Sequence, residues 1–141
     1  MSYNIDFATI ALGETHHLTL TTSLPFTAYN GTNYVLKAEN EYFSGGKYLL
    51  TLPSVIMYVS SLNYQAHINY RIDNETETQI RTWAHWANLQ QGTQTATIPI
   101  DIPKGTHTIE IGFGTNSAEK QLQVYGYQSL DAWAIKVGEP Y

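Results

Sequence analysis

From Ala96 to Phe113 the chain reads ATIPIDIPKGTHTIEIGF. Ala96, Ile98, Ile100 and Ile102 alternate with Thr97, Pro99 and Asp101. Beyond Pro103-Lys104-Gly105, His107, Ile109, Ile111 and Phe113 alternate with Thr108, Glu110 and Gly112. Side chains repeat every two residues in a strand and every 3.6 in a helix, so this pattern is compatible only with strands. Two such runs around a Pro/Gly turn predict a hairpin with one buried and one wet face. Pro103 presets its own φ and Gly105 relieves the steric strain of the reversal. Pro99 has no N–H, so it predicts an edge strand or a bulge at its position.

The same reading extends along the chain. Strands are predicted over Ile5–Leu12, His16–Thr22, Tyr34–Ala38, Tyr64–Ile72, Thr78–Ala87, Lys120–Tyr127 and Asp131–Val137. Leu24–Tyr34, with Pro25, Asn30 and Gly31, reads mostly as loop, and Ser44–Gly46 and Asp73-Asn74 read as turns. Lys47–Ser61 is the most apolar run, and its β-branched and aromatic residues predict one or two buried strands bent at Pro53. Asn88–Gln94 reads as a polar loop. In Asp131–Val137, Trp133, Ile135 and Val137 share one face, while Ala132 and Ala134 form a small face open to another layer or subunit. The sum is an all-β chain, an antiparallel sandwich of jelly-roll type forming one domain over residues 1–141.

Composition narrows what such a fold can do. Seven Lys plus Arg and a net charge of −5 argue against a nucleic-acid partner. Charged residues are 13 %, roughly half the usual share, and no cysteine is present to form a disulfide or thiolate site. No stretch approaches the ~18 apolar residues of a membrane helix, so no membrane partner is expected. The first residues, MSYNIDFATIALG, carry Asp6 and no basic start and so do not read as a signal peptide, while the start at Met1 suggests a complete gene product as the expectation. The sequons at Asn30 and Asn74 then read as chance matches in an Asn/Thr-rich chain.

Catalytic chemistry finds little footing. No nucleophile elbow or phosphate loop occurs, and the pairs Glu39/Glu41 and Glu75/Glu77 read as solvated strand ends rather than glycosidase carboxylates. His16 and His17 are adjacent and point to opposite faces, while His67 and His85 could meet across neighbouring strands, where a third ligand would be needed, and two exposed imidazoles are usually just surface residues. His107 reads as a core histidine with its bonds satisfied. No metal, cofactor or enzyme activity is expected. In TWAHW, Trp83 and Trp86 face opposite ways, so one should be core and its neighbour exposed. A site of Trp83, His85, Asn88 and Gln90 could stack on and hydrogen-bond a sugar, or the aromatics could anchor an oligomer interface. Pro99, Tyr127, Ala132 and Ala134 are the candidate subunit contacts.

The order GKYLLTL, RIDN, IPIDIPKGTHTIEI and LDAWAIKV, from Gly46 to Val137, resembles the tumour-necrosis-factor-like (complement-head-type) jelly rolls. These include jelly rolls of bacteriophage fibre tips and head-decoration proteins. The landmarks are Gly46–Tyr48, Lys104–Ile111 and Trp133–Val137. The resemblance implies a homotrimer packed through aromatic faces. It also implies a non-enzymatic virion protein, assembled in the host cytoplasm, that decorates a capsid or forms part of a fibre. The same stretch is similar to galactose-binding-like carbohydrate-binding modules, through Gly46–Tyr48 and Ser129-Leu130-Asp131-Ala132-Trp133. That resemblance implies a glycan ligand, for a binding module or a receptor-binding fibre tip.

Overall fold

The computed structural model describes residues 14–28, 31–59, 65–75, 77–84, 90–115, 122–125 and 130–139. The regular elements among them are ten strands. These are β1 (Thr15–Leu20), β2 (Phe26–Ala28), β3 (Asn33–Phe43), β4 (Gly46–Val59), β5 (Gln65–Ile72), β6 (Thr78–Ala84), β7 (Gln90–Ile102), β8 (Gly105–Thr115), β9 (Leu122–Tyr125) and β10 (Ala132–Gly138). All pairings are antiparallel. The fold is a jelly-roll β-sandwich.

One ladder runs β7-β4-β10-β1, with β9 and then β2 continuing along the far half of β4. The other runs β1-β3-β8-β5-β6. Strand β1 belongs to both: Thr15–Leu18 pair with β10, and Thr19-Leu20 pair with β3. Between the ladders lies one core that includes Leu18, Leu36, Phe43, Tyr48, Leu50, Ile68, Ile111 and Phe113.

The alternation in Ala96–Phe113 sorts faces as expected on β7, where Ala96, Ile100 and Ile102 are buried and Thr97, Pro99 and Asp101 exposed. The expected hairpin does not form. Strand β7 pairs with β4 along twelve register positions from Gly46↔Ile102 to Val59↔Gln90, while β8 pairs with β3 and β5. The Pro103–Gly105 turn, with Gly105 at φ 138°, carries the chain from one sheet to the other. Alternation reports which side of a strand is buried and says nothing about its partner. The fourteen-residue β4 offers β7 a longer ladder than β8 could. Nor does β8 have a wet face, because Glu110, opposite Ile109 and Ile111, is also buried.

Other departures are local. The polar composition of Asn88–Gln94 suggests a loop, yet Gln90–Gln94 begin β7. The 24–34 stretch contains the short β2, and β3 runs on to Phe43. Pro53 is absorbed within one strand by a register shift between Leu52 and Val55. The Asp73-Asn74 turn is as expected, with both residues at positive φ (53° and 61°), the pattern of a type I′ hairpin. The predicted Ile5–Leu12 strand lies outside the described residues.

Candidate functional site

The two outward faces of the sandwich differ in chemistry. On the β3-β8-β5 side the outward positions are polar and engaged with one another. Glu110, 2 % exposed, accepts from Arg71 Nε at 2.8 Å and lies 3.2 Å from Lys37 Nζ. The Arg71 guanidinium sits 3.9 Å over the Tyr34 ring, whose hydroxyl donates to Glu77. Asn69 Nδ2 donates to Thr32 Oγ1, and His67 Nε2 lies 3.0 Å from the Gly31 carbonyl. Burial raises the Glu110 pKa, but the Arg71 and Lys37 bonds outweigh it and hold the carboxyl below its usual value. The Glu110, Arg71 and Lys37 charges are thus paired, while Tyr42 on β3 stays 57 % exposed.

The outward face of the β7-β4-β10-β1 sheet is different. Register places Thr15, Ile135, Leu49 and Pro99 in one row, and His17, Trp133, Thr51 and Thr97 in the next. Val137, half exposed, extends the surface beyond them. The His17 and Trp133 rings stack at 4.1 Å, and His17 Nε2 lies 2.6 Å from Asp131 Oδ1, which fixes the platform. Thr51 and Thr97 share a hydrogen bond at 3.0 Å, and Lys47 lies 3.5 Å from Asp101 at the margin. Leu49, Ile135, Trp133, Val137 and Pro99 thus form an apolar surface rimmed by polar groups.

This corrects the sequence reading of β10. Ala132 and Ala134 are fully buried, so the layer that their small face admits is the opposing sheet of the same chain, not a second subunit. Lys136 shares their inward phase. The bulky residues Trp133, Ile135 and Val137 face out, an inversion that hydrophobicity alone cannot reveal. Pro99 lies on the outer row of edge strand β7 and is exposed. Trp83 is on β6, its backbone paired with Ala66, and Gln90 opens β7 opposite Val59. His85, Asn88 and Tyr127, like Trp86, lie outside the described residues.

At one end of the sandwich a chain of charges runs inward: Glu139, Lys136, Ser44, Glu14, His16, Glu41. Lys136, 2 % exposed, donates to Ser44 Oγ at 2.7 Å and lies 3.3 Å from Glu139 Oε2. Glu14 Oε2 accepts from the Tyr48 hydroxyl and from His16 Nε2, both at 2.6 Å, and the Ser44 amide donates to the same carboxylate. His16 Nδ1 lies 2.6 Å from Glu41 Oε1, and the imidazole stacks on Phe43 at 3.7 Å. Burial pushes the Glu14 pKa up, yet bonds from Ser44, Tyr48 and His16 bring it down to about 2. Tyr48, buried and bonded to Glu14, is pushed up to about 12.

Sequence reasoning missed this chain. The sequence signal is only that Lys136 alternates in phase with Ala132 and Ala134, which puts the three on one face without telling which face is buried. A serine beside a buried lysine invites a nucleophilic reading, but here the lysine donates to Ser44 Oγ, and Glu14 at pKa about 2 is too weak a base to activate it. A cleft of about 500 Å³ between the Ser44–Gly46 and Asp101–Lys104 turns is lined mainly by apolar atoms.

The remaining candidates separate. Glu41 holds His16, whereas Glu39 is exposed across the bulge at Asn40, so the pair does not share a site. Glu77 accepts from Tyr34 while Glu75 sits in the turn. His107 Nδ1 lies 2.6 Å from Asp73 Oδ2 and its Nε2 lies 2.9 Å from the Pro103 carbonyl, which are both acceptors. Among the described residues no three His, Cys, Asp or Glu side chains converge on a metal position.

No family model matches the chain, and no curated protein sequence matches it. Solved structures do. The Eiger TNF of S. frugiperda superposes with a TM-score of 0.60 at 7 % identity, over 90 % of this chain and 94 % of that one. The infectious bursal disease virus Gx strain structure gives 0.48 at 11 % identity, over 89 % of this chain but only 36 % of the viral chain. The CBM35 of Cellvibrio japonicus Abf62 gives 0.41 at 15 % identity, over 91 % of this chain and all of that module. At 7 % identity, what the chain shares with the Eiger TNF is the fold, a jelly roll.

Proposed function

We propose that this chain is a non-enzymatic structural protein of a virion, a homotrimeric capsid-decoration or fibre component that assembles through the outward face of the β7-β4-β10-β1 sheet. The observation that supports this reading is the contrast between the two faces. One carries Leu49, Ile135, Trp133 and Val137 outward in adjacent rows, and the other is polar with its charges paired. Apolar side chains at the centre of a surface with a polar rim are the usual anatomy of a protein interface. Repetition of one such contact around a three-fold axis closes a ring without leaving a free copy of the surface. The resemblance of Gly46–Val137 to trimeric jelly rolls of phage particles points the same way. Phage origin, the trimer and location in a virion are parts of this proposal.

The test is mass in solution by sedimentation or light scattering. We expect a species of three chains, and Ile135→Lys should convert it to folded monomer with an unchanged far-ultraviolet circular dichroism spectrum. Placing a lysine in a buried contact of this kind weakens association by roughly a hundredfold or more. A wild-type monomer at micromolar concentration overturns the reading. A monomer that also binds defined sugars on a glycan array replaces it with glycan recognition, for which Trp83, His85, Asn88 and Gln90 are the residues to substitute.

A further inference from the structure

His16 is held in an unusual way for a histidine that is 7 % exposed. Its two ring nitrogens face two different carboxylates, Glu14 Oε2 and Glu41 Oε1, each at 2.6 Å. A neutral imidazole has one N–H and one lone pair, so it can donate to only one of them. The other carboxylate would then meet a lone pair across 2.6 Å, a repulsive contact in a buried setting. Both bonds exist together only when the ring carries both protons.

The position of this ring in the fold gives its protonation a structural consequence. Strand β1 has only six residues and is the element shared by the two sheets. Its alternate outward residues, Thr15 and His17, form the β1 ends of the two rows on the outer face. Side-chain bonds that fix the inward side of β1 to the rest of the fold come mainly through His16, to Glu41 on β3 and, through Glu14, to Tyr48 on β4 and Ser44.

We propose that His16 is a proton-operated latch, which locks β1 between the sheets while its ring is doubly protonated and loosens it as the ring becomes neutral. Titratable and aromatic groups face the ring from each element packed against it. Glu14 precedes β1, Glu41 and Phe43 lie on β3, and Tyr48 on β4 donates to Glu14. Lys136 of β10, paired with Glu139, reaches Ser44 behind Glu14. His107 of β8, held by Asp73, lies beyond Phe43 with ring centroids 6.0 Å apart. Raising the pH removes one donor from a site whose acceptors stay charged. The expected direction is therefore tightening on acidification from alkaline pH and loosening on the return. In so far as the outer face is the assembly surface, a point that rests on the function proposed above, loosening β1 withdraws Thr15 and His17 from it and disfavours the oligomer.

The experiment follows the ¹⁵N shifts of the histidine rings of the full chain across pH, with amide-exchange protection of β1 and of the histidine-free β7 read in the same samples. We expect the two His16 nitrogens to shift together from the doubly protonated form. Over the same interval β1 protection should fall by roughly tenfold or more, as loss of a charge-assisted bond implies, while β7 holds. His16→Gln should abolish the differential response. If that variant does not fold, Glu41→Gln, at the more exposed side of the ring, should move the loosening to lower pH, since it removes one of the two charges that favour the imidazolium. A His16 ring that is neutral throughout, or β1 protection that tracks β7 at every pH, overturns the latch. Sedimentation in the same series separates the two claims. A chain that is monomeric at every pH while β1 loosens refutes the assembly surface and leaves the latch standing.

Discussion

Gly114 on β8 shows how little room single residues have in this fold. A Cβ added there would lie 1.5 Å from the Gly31 carbonyl oxygen and 2.8 Å from His67 Nε2, so the segment at Gly31 rests directly on the strand. Gly114→Ala should destabilise the protein by about 3 kcal/mol or more, since the obstacle is backbone and cannot swing aside; urea unfolding measures it. Glu110 is the electrostatic counterpart. Glu110→Gln keeps one acceptor oxygen but removes the buried charge that Arg71 and Lys37 share, and should cost about 2 kcal/mol near neutral pH. The folded carboxyl titrates below its usual value, so the stability it contributes is present above the unfolded pKa and is lost as pH falls through the folded one. Wild type and Glu110→Gln should therefore converge in acid, which paired unfolding curves at neutral and low pH will show.

At the scale of elements, strand existence was legible in the sequence and strand partnership was not. The alternation of Ile98–Ile102 and Ile109–Phe113 marks two strands with the correct inward residues for β7. The partner of β7 is β4, far earlier in the chain, and alternation carries no record of it. The surface on β10 escapes a sequence reading for a related reason. Ala132, Ala134 and Lys136 face inward, where the interior also holds Tyr48, Leu50 and the polar chain, while Trp133, Ile135 and Val137 face out. The rule that larger apolar residues go inside fails on this strand. The edge reading of Pro99 agrees with the structure, where β7 pairs on one side with β4 alone among the described strands. A proline there denies a donor to any incoming strand. Pro99→Val should increase concentration-dependent aggregation, seen as a rise in light scattering over hours, with little change in the thermal midpoint.

For the whole molecule, the carboxylates set the acid limit. Glu14 titrates at about 2, and Asp73 and Glu77 also lie below their usual values. The Asp73 carboxyl is lowered by bonds from His107 and the Thr108 amide, and that of Glu77 chiefly by the Tyr34 hydroxyl. Each favours the folded state above its unfolded pKa, and each contribution vanishes as pH drops through its folded value. The carboxylate share of the urea midpoint should thus decline between about pH 4.5 and pH 2, most steeply between the unfolded and folded values and levelling off as Glu14 takes up its proton. The fold class followed from local pattern; these bonded carboxylates did not, because Glu14 meets Tyr48 and Asp73 meets His107 only in the closed sandwich.

The pairing of Thr15 with Ile135 has a mechanical consequence. Antiparallel order puts the start of β1 and the end of β10 at the same end of their ladder. A load applied between Glu14 and Glu139 therefore acts across the first rung alone and passes to the next only after that rung parts. The sheet should peel open at low force rather than shear, whereas a load carried between the outer faces of neighbouring chains would bear on many rungs together. An optical-trap measurement pulling through these two positions should give a low, gradual opening at this seam.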